Sequence, residues 1–201
     1  MKAPLSVLEL TTHDIEEPMA SNIREEVERL KSDLQTALHM ARLRSITQDF
    51  HVKRLSLTKL LQEVNMENRR LYIRNQIYPK ITIDVEDDTV YSDEKWLYFI
   101  FEQLIQNAVK YTADRSSEFY LSVFEQNGNQ VIEIKDNGVG IPKADLERIF
   151  ELFFTGENGR YFRASTGVGL YLVKEITNYL DHEIEVDSVQ KKGTTFRIIF
   201  S

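Results

Sequence analysis

Four short stretches place side chains and backbone where they could act on a charged ligand. Residues 135–142, KDNGVGIP, put Asp136 at the end of an alternating apolar run, Val131, Ile132 and Ile134, and follow it with Gly138 and Gly140. A carboxylate at a strand end, then two glycines two apart, makes a bend where backbone can approach a ligand with no side chain in the way. The carboxylate would lie on the floor of that opening, although the string alone also describes an ordinary turn. Gln103, Asn107 and Lys110 fall at i, i+4 and i+7 and share one polar face among apolar neighbours. An amide oxygen on such a face can bind a magnesium ion that keeps most of its waters and takes its other ligands from phosphates. Lys110 would meet those phosphates as a point charge; an ordinary solvated face would have the same composition. Residues 166–170, TGVGL, open a helix, so that Gly167 and Gly169 let backbone N–H groups face a phosphate at a helix N-terminus. This is no GxxxxGK[ST] loop, and no lysine follows the glycines, which argues against a Walker-type site. The segment 155–165 holds Gly156, Gly159, Arg160 and Arg163 and reads as a loop that can close over a ligand with its basic residues against phosphate. Any surface loop can also hold two arginines.

The elements that would position these residues follow from periodicity. Leu5, Leu8 and Thr12 suggest a short helix, HDIEEP at 13–18 an acidic connector, and Ile23, Val27, Leu30, Leu34, Leu38 and Ala41 an amphipathic helix over about 19–47. Helix, link and long helix read as an antiparallel hairpin that buries its stripe against a second copy in a four-helix bundle, or else on the rest of its own chain. From Phe50 the period changes: Phe50, Val52, Leu55 and Leu57 suggest a short strand, and Ser56 an N-cap for a helix to about Asn75. Pro79 is expected to end that segment, with Ile81, Ile83 and Val85 as a strand and Val90–Tyr91 as a very short one. Ser92 and Asp93 offer caps to a helix reaching about Thr112, with Trp96, Leu97, Ile100, Phe101, Leu104, Ile105 and Ala108 inward. Residues 119–124 and 131–135 read as a hairpin about Asn127-Gly128. A short helix near 144–150, a helix over about 168–180 and a last hairpin about Lys191-Lys192-Gly193 complete the chain. The expected fold class is α+β: a helical hairpin over 1–48, then from 49 to 201 a layer of helices on a mostly antiparallel sheet.

Composition sets outer bounds. A chain of 201 residues can bury a real core as one large or two small domains. With no cysteine, disulfides and thiolate metal sites are excluded. No apolar run nears the ~20 residues that span a bilayer, and no secretory signal pattern opens the chain. A net charge of -7 argues against broad nucleic-acid binding.

Taken in order, residues 96–200 resemble the ATP-binding domain of the histidine kinases, in the superfamily shared with gyrase, the Hsp90 chaperone and MutL. The resemblance lies in FEQLIQNAVKYT, DNGVGIP, IFELFF, STGVGL and KKGTTF, which are similar to the N box, first glycine box, phenylalanine box, second glycine box and last glycine box. It implies an α/β sandwich of the Bergerat type that binds ATP and Mg2+, with Asn107 on the metal, Lys110 on phosphate and Tyr111 beside the nucleotide. It also implies that Asp136 accepts from the adenine amino group, that Gly138, Gly140 and Ile141 shape the adenine pocket, and that Thr194 lies near the base. Thr166, Gly167, Val168, Gly169 and Leu170 would anchor a lid against the phosphates, with Arg160 among the lid's basic residues.

Three positions depart from the family pattern. Gln103 stands where many members have asparagine and the gyrase-like ATPases a water-activating glutamate; a glutamine cannot be that base, which favours transfer over hydrolysis. Ser165 and Lys191 replace glycines without removing an implied contact. MKAP at 1–4 is similar to the tail of the acceptor motif H-E-x-K-x-P, with Lys2 and Pro4 aligned, which puts the phosphoacceptor histidine just before Met1. His13, His39, His51 and His182 are then expected in surface or structural roles. The resemblance thus implies the cytoplasmic part of a bacterial plasma-membrane sensor kinase. It would be homodimeric through 1–48 and pass its γ-phosphoryl group by way of histidine to an aspartate on a response regulator receiver domain. KAPLSVLEL, FFTGENGR and STGVGLYLVK are most similar to the intramembrane-sensing, antibiotic-responsive kinases of Gram-positive bacteria, whose partners include peptide-type ABC transporters. A GHKL-type ATPase or serine kinase using the same ATP site is the alternative, with Glu102 the nearest carboxylate to the N-box face.

Overall fold

The computed structural model describes residues 51–112, 117–156 and 166–200, together with Met19, Ile23, Glu26, Val27, Leu30 and Leu34. The chain divides into two compact units, Met1–Asp49 and Phe50–Ser201. In the first, those six residues are helical, as the 19–47 pattern predicts, and Val27 is buried. The rest of the expected hairpin lies outside the described residues.

In the second unit, β1 (Lys53–Ser56) pairs antiparallel with β3 (Thr89–Ser92) as a small separate sheet. Ser56 caps α1 (Leu57–Glu67) through its hydroxyl, which accepts the Lys59 N–H at 3.2 Å. The helix expected to run on to Asn75 is broken at Asn68. Its side-chain amide and its backbone N–H both donate to the Val64 carbonyl, at 2.9 and 3.1 Å, and Asn68 stands as the C-cap of α1. A separate helix, α2 (Arg69–Asn75), follows.

The main sheet has the order β2-β4-β5-β7-β6. Its strands are β2 (Tyr78–Asp84), β4 (Glu118–Gln126), β5 (Asn129–Asp136), β6 (Glu183–Val189) and β7 (Gly193–Phe200). Only the β2–β4 pair is parallel. Pro79, expected to close the helical segment, is the second residue of β2. Tyr78 donates its N–H across to Ser117, so Pro79 turns its missing N–H to the open side of an edge strand, where proline is tolerated. The β4–β5 turn at Asn127-Gly128 has both residues at positive φ, 56° and 83°, the mirror-image turn that suits strand twist. The expected helix at 144–150 is instead a chain of turns: Asp145, Arg148 and Glu151 each donate to the carbonyl three residues back.

One face of the sheet, with Phe119, Leu121, Val123, Ile132, Ile134 and Ile198, is buried against α3 (Glu94–Thr112) and α4 (Gly169–Tyr179). All seven residues assigned to the inner side of α3 are buried. Asp93, itself 3% exposed, holds the start of α3: Oδ1 accepts the Trp96 N–H at 3.1 Å and Oδ2 the His51 N–H at 2.7 Å. Asp93→Ala removes a helix cap and leaves a second donor unpaired, so it should cost about 2 kcal/mol. The measurement is the urea midpoint, which should fall with the slope unchanged.

Candidate functional site

Asp136 ends β5 and is 6% exposed. Its Oδ1 accepts two backbone N–H groups, from Gly138 at 2.8 Å and from Thr194 at 3.2 Å, the latter at the start of β7. Burial pushes the carboxyl up to about 6, against the opposing pull of those two N–H groups. Among the described residues Oδ2 has no partner.

Glycine is required around this carboxylate for reasons of space. A Cβ at Gly138 would lie 2.1 Å from the Tyr111 carbonyl oxygen, and one at Gly140, where φ is +65°, 2.1 Å from the Val189 carbonyl oxygen. The loop between them is tied down on two sides. Val139 donates to the Tyr111 carbonyl at the end of α3 (3.1 Å), and Lys191 donates to the Val139 carbonyl (2.6 Å). Ile141 donates to the Ser188 hydroxyl at 2.8 Å. Asp136, Gly138, Gly140, Ile141 and Thr194 therefore form one connected group against the last turn of α3.

A second group forms eight residues back along α3, about 12 Å at 1.5 Å per residue. A Cβ at Gly169 would meet Gln103 Oε1 at 2.5 Å, so the first turn of α4 lies directly on the polar face of α3. Among the described residues neither the Gln103 nor the Asn107 amide has a hydrogen-bond partner, and both residues are half-buried. The first N–H groups of α4 have no side-chain cap. Lys110 lies 5.5 Å from the Tyr111 ring centroid, and burial lowers its pKa. Gly167 is held from the other side: Phe153 donates to its carbonyl at 2.9 Å, and a Cβ there would meet the Phe153 backbone at 2.5 Å. Thr166 is exposed, Gly167 and Leu170 half-buried and Val168 buried. Arg160, Arg163 and Ser165 lie outside the described residues.

The remaining ionisable candidates fall elsewhere. Glu102 faces Glu67 at the end of α1; burial and that neighbouring carboxylate raise its pKa. His182 is 8% exposed, with Nε2 2.8 Å from the Ser92 hydroxyl and its ring against Phe200, and burial lowers its pKa. It serves the core, in the structural role expected of it. Among the described residues, no cluster of three or more His, Asp or Glu could hold a metal ion alone, and no helix is long and apolar enough to cross a membrane. Ser188 carries no site signal in the sequence, and Gly193 carries one only as the glycine of KKGTTF. A lone serine in a strand becomes part of the site only through the β6–β7 register, which sets Ser188 opposite Thr194 and Val189 opposite Gly193.

The model of the histidine kinase-, DNA gyrase B- and HSP90-like ATPases matches residues 92–201, the stretch that holds both groups. The chain belongs to that family. The resemblance to histidine kinases is thereby borne out, as is the expected use of ATP. Within the family its sequence is similar to sensor histidine kinases. It is 42% identical to YxdK of Bacillus subtilis over 200 residues, which cover 100% of this chain and 61% of that protein. It is 35% identical to GraS of Staphylococcus aureus over 176 residues, covering 86% of this chain and 49% of GraS. The chain thus spans about three fifths and one half of these relatives. Among solved structures, the catalytic domain of the histidine kinase ThkA superposes with a TM-score of 0.64 at 22% identity, covering 75% of this chain and 95% of that domain. That likeness shows the fold, the α/β sandwich expected for residues 49–201.

Proposed function

We propose that this chain is the cytoplasmic part of a membrane sensor histidine kinase, with residues 49–201 as its ATP-binding catalytic domain and 1–48 as its dimerisation and phosphotransfer hairpin. The observation that carries the reading is the Asp136 carboxylate. One oxygen is fixed by two N–H groups, the other is left as an acceptor, and the polar face of α3 runs back from Tyr111, beside this group, through Lys110 and Asn107 to Gln103 at the N-terminus of α4, a rise of about 12 Å along the helix. That spacing suits an elongated ligand with a base at one end and phosphates at the other. Asp136 accepts from the adenine amino group and so rejects guanine, which presents an oxygen there. Gly138, Gly140, Ile141 and Thr194 surround the base, and Tyr111 lies beside it.

At the other end, Asn107 would hold a magnesium ion through its amide oxygen, and Lys110 and the N–H groups of Thr166, Gly167, Val168, Gly169 and Leu170 would meet the phosphates, with Gln103 alongside; by its charge and place in the sequence Arg160 is a further phosphate ligand of this reading. Magnesium, when bound, neutralises phosphate charge. The residues' share of phosphoryl transfer is positioning and charge compensation. The hydrolytic alternative is disfavoured because Glu102 faces α1 and Gln103 has no carboxylate to activate water. In the intact protein the phosphoryl group passes to a histidine and then to a response regulator aspartate. The likeness of KAPLSVLEL and STGVGLYLVK to intramembrane-sensing kinases supports a peptide-type ABC transporter as a further partner.

Calorimetric titration tests the site. The chain should bind ATP more tightly with magnesium than without, and Asn107→Ala should abolish that magnesium dependence and weaken Mg–ATP binding ten- to a hundredfold, roughly the loss seen when metal-site partners are removed. No measurable ATP binding by the unsubstituted chain would sink the proposal.

A further inference from the structure

Ser188 takes part in three short contacts beside the Asp136 carboxylate. Its Oγ lies 2.8 Å from the Ile141 nitrogen, 2.9 Å from the Gly193 carbonyl oxygen and 3.0 Å from Thr194 Oγ1. A hydroxyl has one proton and two lone pairs. The Ile141 N–H can only donate and the Gly193 carbonyl can only accept, so the Ser188 proton goes to Gly193 and one lone pair to Ile141. The third contact is left with a single polarity: Thr194 Oγ1–H donates to Ser188 Oγ. The backbone N–H of Thr194 is also spent, on Asp136 Oδ1 at 3.2 Å. Thr194 thus has no proton left for a ligand and can offer only hydroxyl lone pairs, the same polarity that Asp136 Oδ2 offers.

We propose that Ser188 is a positioning residue for base selectivity: by engaging the Thr194 hydroxyl proton, it keeps Thr194 an acceptor beside Asp136. The inference rests on the adenine-site reading above. The adenine amino group carries two protons and suits two acceptors, directly or through a water molecule, whereas guanine brings a carbonyl oxygen to the same position. Without Ser188, the Thr194 hydroxyl is free to turn its proton outward and accommodate that oxygen. A site with buried acceptors discriminates strongly only while no donor among them can adapt.

The test is calorimetric titration of Mg–ATP and Mg–GTP on the whole chain. Ser188→Ala should narrow the ATP-over-GTP preference about fivefold or more, and Ser188→Thr, which restores a hydroxyl at a half-buried position, should retain it. In a Thr194→Val background, where no hydroxyl remains to be oriented, adding Ser188→Ala should leave the preference unchanged. If Ser188→Ala does not fold, Ser188→Cys, a weak donor and acceptor, carries the same expectation. Equal weakening of both nucleotides, an unchanged preference, or the same narrowing in the Thr194→Val background would each overturn the proposal. An unsubstituted chain that binds ATP while Ser188→Ala keeps its preference sinks this inference alone; one that binds no ATP sinks the site reading with it.

Discussion

Asp136→Asn is expected to make the nucleotide-free protein more stable at neutral pH while removing its affinity for ATP. The carboxyl's folded pKa of about 6 lies about two pH units above the ordinary aspartate value near 3.9. A carboxyl with a raised folded pKa binds its proton more tightly folded than unfolded. Its contribution therefore favours folding below about pH 4 and is lost as pH rises through 6. Above pH 6 the buried, ionised group weighs against the fold by about 2–3 kcal/mol. Asparagine keeps an oxygen for the Gly138 and Thr194 N–H groups and carries no charge, so most of that penalty should disappear at pH 8, with little difference left at pH 4. The second oxygen becomes an NH2 group that faces the adenine amino group donor to donor. A loss of about a hundredfold or more in ATP affinity follows, since a site built to accept is left with its polar group unpaired. Urea unfolding at pH 4, 6 and 8 and ATP titration at pH 8 measure both effects. A variant less stable than the parent at pH 8 would contradict the burial argument. In the parent protein, ATP affinity should itself weaken as pH falls below 6, where Asp136 takes up its proton.

The part of this site legible in the sequence is the part that repeats a local rule. Asp136 after an alternating run, and the glycines behind it, need only the strand period and steric space to be read as a bend, and the order of the boxes to be read as a site. The Gln103, Asn107 and Lys110 face needs only the helical period, and TGVGL only the chemistry of a helix start. In the structure Gly169 lies on Gln103 and Gly138 on the Tyr111 carbonyl. What the sequence conceals depends on long-range register. Ser188 has an unremarkable place in an alternating strand, and its bonds to Ile141 and Thr194 exist because β6 lies beside β7 rather than at another edge. Pro79 misleads for a related reason. Its helix-ending tendency is local, while its tolerance within β2 depends on that strand being at the edge, which no local pattern reveals. The helix expected at 144–150 fails on hydrogen-bond spacing: its apolar residues suit a helix, but the backbone closes three-residue turns. Asn68 breaks a helix whose apolar period runs on unbroken through Leu71 and Tyr72, since a C-cap asparagine that bonds back to the preceding turn leaves no mark on that period.

The second large effect is expected at Gly193, the glycine of KKGTTF, which the register sets against the backbone of Asp136. Its φ is +124°, outside the range side chains adopt readily, and a Cβ there would lie 2.0 Å from the Asp136 carbonyl oxygen and 3.0 Å from Asn137 Cα. Both neighbours are backbone, so no side chain can swing aside; either β5 or the start of β7 must move. Movement by even a few tenths of an ångström lengthens the Thr194 N–H bond to Asp136, already 3.2 Å, and strains the Ser188 contact with the Gly193 carbonyl. Gly193→Ala should therefore cost about 3–5 kcal/mol, the range of forced backbone strain combined with overpacking. It should also weaken ATP binding well beyond what the surviving folded fraction explains. Gly128→Ala supplies the contrast. That glycine also has positive φ, +83°, but a Cβ there meets nothing within 4 Å. Its cost is conformational alone, about 1 kcal/mol, with ATP affinity unchanged. Urea unfolding and ATP titration on the two variants thus separate strain in a turn from displacement of a site. Equal costs at both positions would mean that the close approach of Gly193 to Asp136 does not hold the two strands in register.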